Sequence, residues 1–417
     1  MFGKSAGFNL VFIGEFQGHH TRDTRDRHLF GQDGGYILAG TTNSFGAGYT
    51  DFWVLKLNSS GNVSWQKTYG VNDNDSAYSI QQTSDGGYIV AGITKAFAAY
   101  STDILVLKLD SSGNFSWQNR YKVYGLYHDS YISSIQQTPG GDYIVAGWFT
   151  DKTFYYGSDI WVLKLDSSGG IYWDMTYGGV YWDVLRSIQQ TSDGGYILAE
   201  SIRSSDSVEG DIRVLKLDGS RDLSWLKKYG GSSNDEASSI QQTLDGGYIL
   251  AGTTDSFGAG GGDIWVLKLD SSGNVSWQKT YGGSGYDEAS SIQQTLDGGY
   301  IVAGTTDSFG AGGGDIWVLK LDNNGEIPGC DLINISQAII QGEYFYAIYE
   351  NISYQIYTAT SGSTKVSPHN SSAKISNPCE ISYCSTWTEV ISKYNSYVGG
   401  SASWNNVITC YNQYASP

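Results

Sequence analysis

A unit of about 52 residues occurs six times in this 417-residue chain, and each copy contains a Tyr-Ile dipeptide at an equivalent position. The tyrosines are Tyr36, Tyr88, Tyr143, Tyr196, Tyr248 and Tyr300, with spacings of 52, 55, 53, 52 and 52 residues. Repeats of this length are typical of solenoids, propellers and repeat arrays. We therefore expect one supersecondary unit to be built six times.

Each copy predicts four β-strands. In the sixth copy, Glu288-Ala-Ser-Ser-Ile-Gln-Gln-Thr is followed by Asp297-Gly-Gly, Tyr300-Ile-Val-Ala-Gly, a glycine-rich loop and Asp315-Ile-Trp-Val-Leu-Lys-Leu. β-Branched and aromatic residues lie between turns of the Asp-Gly-Gly and Asp-Ser-Ser-Gly-Asn type, which supply the positive φ angles of tight hairpins. Because the coils of a β-solenoid are shorter, this pattern favours an all-β fold, a six-bladed β-propeller of four-stranded blades.

The sixth copy lacks its outer strand, because the sequence departs from the repeat at Ile327-Pro-Gly-Cys. An ungapped alignment of Asp33 with Asp297 places residues 11–18 on residues 275–282. We therefore predict that residues 9–17 form the outer strand of the last blade and close the ring. Residues 19–30 are basic and do not match the first strand of the other copies, so the first blade is expected to be irregular.

Composition argues against nucleic acid as a partner and against a membrane span. A net charge of −17 argues against nucleic acid, which requires a clustered basic surface. No run of eighteen apolar residues is present, so no membrane span is expected. The first sixteen residues are a poor signal peptide. The 55 glycines and only 5 prolines agree with many hairpin turns and with strands that need their amide donors.

The cysteines indicate an oxidising compartment. All four, Cys330, Cys379, Cys384 and Cys410, lie in the last ninety residues, and none forms a Cys-x-x-Cys pair that would favour zinc. Together with several Asn-x-Ser sequons, this predicts two disulfides in an extracellular glycoprotein. Three pairings are possible, and free buried thiols are the alternative. The sequon asparagines are Asn58, Asn62, Asn74, Asn114, Asn274, Asn334, Asn351 and Asn370.

A change in composition after the repeats predicts two domains, a propeller over residues 1–325 and a small α+β, disulfide-bonded domain over residues 326–417. Two strand-like segments are followed by a 17-residue repeat in which Trp387-x-x-Val-Ile-x-x-Tyr-Asn-x-Tyr recurs from Trp404. Its apolar spacing predicts a two-helix hairpin. The domain acts either as a docking module or as a disulfide-bonded cap.

The run Gly-Gly-x-Asp-Ile-Trp-Val-Leu-Lys-Leu-Asp-x-x-Gly-Asn-x-x-Trp-x-x-x-Tyr-Gly-Gly-Ser-Gly-x-Asp resembles the SBBP-type β-propeller repeats of bacterial and archaeal cell-surface proteins. The resemblance covers residues 9–325. It implies an extracellular or cell-surface propeller, and it implies no particular activity because such repeats share none.

No familiar catalytic motif is present: the sequence has no phosphate loop, His-Glu-x-x-His helix or Ser-His-Asp spacing. We therefore predict that the chain is not an enzyme and needs no cofactor. One possible exception is an acidic ring before the first strands, which could hold an axial cation such as calcium. The alternative is that these aspartates cap loop amides, as a second series before the third strands is expected to do. The first series is Asp23, Asp75, Asp129, Asp183, Asp235 and Asp287, and the second is Asp51, Asp103, Asp159, Asp211, Asp263 and Asp315.

Repeats two to four depart from the consensus by adding aromatic residues near their loops. These loops are expected on one face of adjacent blades, where Tyr and Trp could stack on sugar rings or form a protein hot spot. The alternative is that the rings pack among themselves. The predicted ligand-binding residues are Tyr100, Tyr124, Tyr127, Trp148, Phe149, Tyr155, Tyr156, Tyr181 and Trp182.

These observations predict an extracellular recognition or adhesion propeller whose partner is a glycan or a surface protein. The first alternative is a structural or self-assembling subunit of the cell envelope. The second is a propeller enzyme with an axial cation or cofactor.

Overall fold

The computed structural model describes residues 35–44, 46–47, 49–70, 74–95, 102–122, 128–151, 157–178, 182–203, 210–310, 314–327 and 369–370. These residues are all-β and contain no helix. The predicted closing strand over residues 9–17, the first strand of the first repeat, the four cysteines and the predicted two-helix hairpin lie outside the described residues.

The chain forms two compact units, one containing residues 1–178 and the other residues 179–327, each with further segments from the C-terminal region. The first unit contains three sheets. Sheet 1 has β1 (Tyr36–Thr42), β2 (Asp51–Leu57) and β3 (Val63–Tyr69); sheet 2 has β4 (Asn74–Gln82), β5 (Tyr88–Lys95), β6 (Asp103–Leu109) and β7 (Phe115–Tyr121); sheet 3 has β8 (His128–Gln137), β9 (Tyr143–Asp151), β10 (Ser158–Leu165) and β11 (Ile171–Tyr177).

The second unit also contains three sheets. Sheet 4 has β12 (Trp182–Gln190), β13 (Tyr196–Arg203), β14 (Gly210–Leu217) and β15 (Leu223–Tyr229); sheet 5 has β16 (Asp235–Gln242), β17 (Tyr248–Thr254), β18 (Asp263–Leu269) and β19 (Val275–Tyr281); sheet 6 has β20 (Asp287–Gln294), β21 (Tyr300–Thr306) and β22 (Asp315–Leu321). A two-residue strand, β23 (His369–Asn370), pairs with β3 in the first unit.

Within each sheet, consecutive strands pair antiparallel in chain order, as the hairpin turns predicted. Repeats two to five each form four strands, and this architecture is consistent with a β-propeller-type fold. Every first strand described contains a β-bulge, a register shift that adds one residue relative to the second strand. Bulges bend a strand and change the direction of a side chain, so the added residue is a natural place for a repeat-specific group.

The turn between the first and second strands contains a repeated ion pair. In sheet 2, Gly86 has a φ of +81°, and the preceding Asp85 accepts hydrogen bonds from the Gly87 amide (3.0 Å) and the ammonium of Lys108 (3.0 Å). Partial burial works to raise the pKa of Asp85, but these bonds and one from Thr83 outweigh it and lower the pKa to about 2. The same lysine–aspartate pair is found at Lys216–Asp193, Lys268–Asp245 and Lys320–Asp297.

The last described strand of sheets 1, 2, 4 and 5 contacts the next sheet of the same unit, at the turn that follows its third strand. These last strands are β3, β7, β15 and β19, and each is the fourth strand of its repeat. In the first unit, Trp65 donates from Nε1 to the carbonyl of Ser111 (3.2 Å), and Tyr69 donates its hydroxyl to the carbonyl of Gly113 (2.7 Å). We call the tyrosine–glycine bond the clasp. It recurs as Tyr121 with Gly169 at 2.7 Å, Tyr229 with Gly273 at 2.6 Å and Tyr281 with Gly325 at 2.6 Å.

The core lies between consecutive sheets. Between sheets 5 and 6, Ile264 and Val266 pack against Val302 and Leu319. The opposite face of sheet 6 has no such neighbour among the described residues, and Ile316 is 45% exposed, whereas the equivalent Ile264 is 0% exposed. Sheet 6 therefore presents an apolar surface of the kind that another sheet covers elsewhere.

No helix in the described part of the chain is long and apolar enough to cross a membrane.

Candidate functional site

The first unit contains a stacked aromatic pair on the first two strands of sheet 3. Tyr131 of β8 and Trp148 of β9 are direct cross-strand partners. Their ring centroids are 4.0 Å apart and their planes differ by 14°, so the rings stack face to face. Both side chains are only partly buried. The pair therefore forms a partly exposed aromatic stack that is not part of the core cluster.

Tyr131 was missed in the sequence analysis, which considered only residues near the loops. Aligning the β8 and β9 segments as a hairpin would have identified Tyr131 opposite Trp148, because directly opposed residues on one face of a sheet contact each other.

None of the other predicted aromatic residues that the structure describes is part of this stack. Phe149 is wrongly assigned to a binding surface: it is 5% exposed and packs in the core with Ile135 and Trp161, since side chains alternate along β9 and Trp148 takes the other face. Trp182 is 44% exposed at the start of β12, in the second unit. The remaining predicted ligand-binding residues, Tyr100, Tyr124, Tyr127, Tyr155, Tyr156 and Tyr181, lie outside the described residues.

Four of the described aspartates of the first series, at the beginning of the first strands, are buried, and two of them accept hydrogen bonds from loop donors. Asp235 accepts hydrogen bonds through Oδ2 from the Gly231 amide (2.8 Å) and the Ser256 hydroxyl (2.7 Å). Asp287 has the same two contacts one repeat later, and Asp75 and Asp183 are also fully buried. Burial is the main cause that raises the pKa of Asp235. In sheets 5 and 6 the carboxylates therefore cap loop amides, which is the alternative given above. Asp23 lies outside the described residues.

The third repeat has a serine at the position of these aspartates. The amide of Ser130 donates to the carbonyl of Thr102 (3.3 Å), as the amide of Asp75 donates to Thr50 and that of Asp287 to Gly262. Asp129 lies one residue earlier and is equivalent to Asn74. The assignment of Asp129 to the acidic series is therefore wrong by one position, because the extra residues of this repeat shift its register.

The second aspartate series lies close to the first at a tightly packed glycine. A Cβ on Gly282 would stand 1.9 Å from Oδ1 of Asp263 and 2.7 Å from Oδ2 of Asp287, so only glycine fits between the two carboxylates. Burial raises the pKa of Asp263, and the charge of Asp287 adds to the effect. Among the described side chains, no three His, Cys, Asp or Glu residues come together as metal ligands. The axial cation stays a prediction.

The second unit contains a charged group on the first strands of sheets 4 and 5. Arg186 is the bulge residue of β12, and its Nη2 lies 2.8 Å from Oε2 of Glu236 on β16. Glu236 also accepts a hydrogen bond from the side-chain amide of Asn234 (3.2 Å). In sheets 2, 3, 5 and 6 the bulge residue is Tyr or Ser. The bulge thus aims the one arginine of this series at the neighbouring strand.

Further carboxylates surround this ion pair. Burial raises the pKa of Glu288, Glu236 raises it further, and Arg186 opposes the shift. Burial and Glu236 also raise the pKa of Asp255. The ring of Tyr286 is 47% exposed, and the pKa of its hydroxyl is raised by burial and by these same carboxylates. We call Arg186, Glu236, Asp255, Glu288 and Tyr286 the charged cluster; it combines hydrogen-bond acceptors, one guanidinium and an exposed ring.

A second, buried set of charges lies within sheet 4. Glu200 and Arg213 are direct cross-strand partners, and Arg213 Nε donates to Glu200 Oε1. Its Nη2 lies 2.6 Å from Oδ1 of Asp183. Both carboxylate side chains are 0% exposed. Burial raises the pKa of Glu200 to about 7 despite the opposing effect of Arg213. Glu200 and Arg213 replace a glycine–tryptophan pair found in other sheets, and both were missed in the sequence analysis.

No protein-family model matches the sequence, and no curated protein matches it. Similar solved structures include a protein of unknown function from Bacteroides caccae (12% identity, 70% of this chain and 92% of the other, TM-score 0.44). Others are an exo-β-1,3-galactanase from Phanerochaete chrysosporium (14%, 63% and 62%, TM-score 0.38) and an α-L-arabinofuranosidase from Lactobacillus brevis (9%, 60% and 92%, TM-score 0.36).

The prediction that this chain is not an enzyme is contradicted by the galactanase, arabinofuranosidase and levansucrase among the similar structures, and we withdraw it. Membership of the SBBP-type family is not confirmed by these comparisons.

Proposed function

We propose that this chain is an extracellular recognition protein that binds a glycan or another cell-surface polymer. The binding side chains lie on the first and second strands of its sheets. The observation that carries the proposal is the stacked pair of Tyr131 and Trp148, which is partly exposed and lies outside the core. Pyranose rings have an apolar face that packs on such surfaces, while the indole N–H and phenol O–H supply polar contacts at low entropic cost. The second unit offers contacts of the same kind through Trp182 and, separately, the charged cluster.

The extracellular setting, the disulfides and the glycosylation are part of this proposal. The sequon asparagines Asn58, Asn62, Asn114 and Asn274 are exposed in the turns between third and fourth strands, and Asn74 is exposed at the start of β4. Accessibility of this kind is needed for N-linked modification.

Substitution of Trp148 by alanine tests the binding function. We expect Trp148→Ala to weaken binding to the glycans bound by the wild-type chain by about tenfold or more, because the substitution removes half of the stack. Trp182→Ala should weaken binding as well. The measurement is a glycan array followed by titration calorimetry, with circular dichroism to check folding.

The matched control is Tyr172→Ala. Tyr172 is 62% exposed on β11, the fourth strand of sheet 3, and its removal should leave glycan binding unchanged. Unchanged binding in both tryptophan variants would reject the proposal, and so would a wild-type chain that binds no glycan on the array.

We further propose that the six repeats form a six-bladed propeller over residues 1–325, with residues 9–17 as the outer strand of the last blade, and that residues 326–417 form a separate domain. Sheet 6 has three described strands whereas repeats two to five have four, which supports an additional strand there. Deletion of residues 1–17 should lower the melting temperature by about 5 °C, corresponding to about 2 kcal/mol. An unchanged thermal melt would reject the closing strand.

A further inference from the structure

Two half-exposed aromatic rings occupy the same position of the repeat in the second unit. Trp182 directly precedes Asp183 at the start of sheet 4, and Tyr286 directly precedes Asp287 at the start of sheet 6. The tryptophan is 44% exposed and the tyrosine 47%. Only Trp182 was assigned to a binding surface from the sequence. Tyr286 is therefore an aromatic platform at an equivalent position that the sequence analysis missed.

The ring of Tyr286 lies beside a carboxylate. A Cβ on Gly262 would stand 2.6 Å from Cε2 of this ring and 2.9 Å from Oδ1 of Asp255, so the ring edge and the carboxylate border the same glycine. The backbone on this side is fixed, because the amide of Asp307 donates to the carbonyl of Tyr286 (2.8 Å). A single small group of a ligand can therefore contact the ring and the carboxylate together.

The surroundings of the ring are negatively charged. The charged cluster has three carboxylates, those of Glu236, Asp255 and Glu288, and one guanidinium, that of Arg186. Arg186 is engaged by Glu236 at 2.8 Å, whereas Asp255 and Glu288 are exposed and form no ion pair with any residue that the structure describes. These two carboxylates therefore favour a positively charged ligand and disfavour an anionic one.

We propose that Tyr286, Asp255 and Glu288 form a binding site in the second unit for a sugar that carries a free amino group. The inference rests on the proposed glycan-binding function and adds the charge of the ligand to it. The apolar face of the pyranose packs on the tyrosine ring. The ammonium group, one bond away from the pyranose ring, donates charge-assisted hydrogen bonds to the carboxylates. A neutral N-acetylated sugar has no charge to offer them and binds more weakly.

Titration calorimetry of the full chain with two tetrasaccharides tests the proposal. One is a β-1,4-linked glucosamine tetramer under conditions that keep its amines charged, and the other is its uncharged N-acetylated counterpart. We expect the wild-type chain to bind the amine form about tenfold more tightly, with an affinity that falls as salt is added. Tyr286→Ala should weaken binding of the amine form about tenfold, and Glu288→Gln about fivefold. Tyr286→Phe, which keeps the ring, should stay within about twofold of the wild type.

The matched control is Asp222→Asn, which removes an exposed carboxyl outside the charged cluster and should leave binding of the amine form unchanged. Absence of binding to the amine form, equal binding of the two tetrasaccharides, or wild-type affinity in both Tyr286→Ala and Glu288→Gln would each overturn the proposal. A lysine tetrapeptide that binds as tightly as the amine form would also overturn it, because the site would then recognise charge without the sugar.

Failure of this site can be told apart from failure of the proposed function. A chain that binds neutral glycans and loses them on Trp148→Ala, yet does not distinguish the two tetrasaccharides, keeps the proposed function and lacks the amino-sugar site. A chain that prefers the amine form through Tyr286, and is unaffected by Trp148→Ala, keeps the amino-sugar site and loses the proposed role of the stacked pair.

Discussion

Replacement of Arg213 by tryptophan should lower the free energy of unfolding by about 3–5 kcal/mol. Arg213 is the cationic partner of Glu200 and Asp183, whose side chains are both 0% exposed. Removing one member of a buried ion pair leaves an uncompensated charge in a low-dielectric site, which is among the most destabilising of single changes. Denaturant unfolding monitored by circular dichroism measures the loss.

The double variant Glu200→Gly/Arg213→Trp should recover about half of the stability that Arg213→Trp alone loses, because it removes the Glu200 charge while Asp183 still loses Arg213. The double variant also restores the cross-strand pair of the other repeats. That pair is Gly40–Trp53, Gly147–Trp161, Gly252–Trp265 and Gly304–Trp317. A loss below about 1 kcal/mol for Arg213→Trp, or additive losses in the double variant, would contradict this account of the buried charges.

The pH dependence gives this prediction a second measurement. The pKa of Glu200 is raised to about 7, above the value near 4.3 of an unfolded glutamate. Such a group favours the folded state at low pH, and its contribution is lost as the pH rises from about 4.3 towards 7. Glu200→Gly should remove that part of the pH dependence. A control is Asp222→Asn, which alters an exposed carboxyl in the turn before β15.

The strand layout could be predicted from the repeat because hairpin turns and strand patterns are local properties of the chain. Asp-Gly-Gly before Tyr88 marks a turn without knowledge of any distant residue, and the predicted four strands of that repeat are found. Closure of the ring and the C-terminal domain depend on segments outside the described residues, so the structure leaves both as proposals.

The site was harder to predict because it depends on register. Three extra residues precede β8, so Ser130 and not Asp129 stands at the position of Asp75. Alternation along β9 then puts Trp148 outside the core and Phe149 inside it. A loop-based prediction cannot separate two adjacent aromatic residues, whereas the pairing with β8 separates them at once.

The two paired replacements in sheet 4 could not be predicted from either residue alone. Glu200 and Arg213 each break the consensus, and Glu200 without Arg213 would place an unpaired charge in a buried site. Their pairing became visible only when the register of β13 and β14 placed them opposite each other. Repeat proteins allow this comparison within a single chain, because the other copies show what the position holds when no charge is present.

Replacement of Tyr281 by alanine should lower the free energy of unfolding by about 3–5 kcal/mol. Tyr281 is 1% exposed in the core between sheets 5 and 6, and its hydroxyl donates the clasp bond to Gly325 at 2.6 Å. Truncation leaves a cavity and a carbonyl without its donor, and both effects destabilise. Tyr281→Phe, which keeps the ring and loses only the bond, should lower the free energy of unfolding by about 1–2 kcal/mol.

The repeat supplies an independent test of the same prediction. Tyr229→Phe should lose stability by an amount within about 1 kcal/mol of that for Tyr281→Phe, since its hydroxyl is equally buried and donates to Gly273 at 2.6 Å. Tyr172→Phe, at a 62% exposed position on β11, should change stability by less than about 0.5 kcal/mol. If both clasp tyrosines tolerate phenylalanine without loss, the contact between sheets rests on burial of the rings alone and the hydroxyl bond contributes nothing.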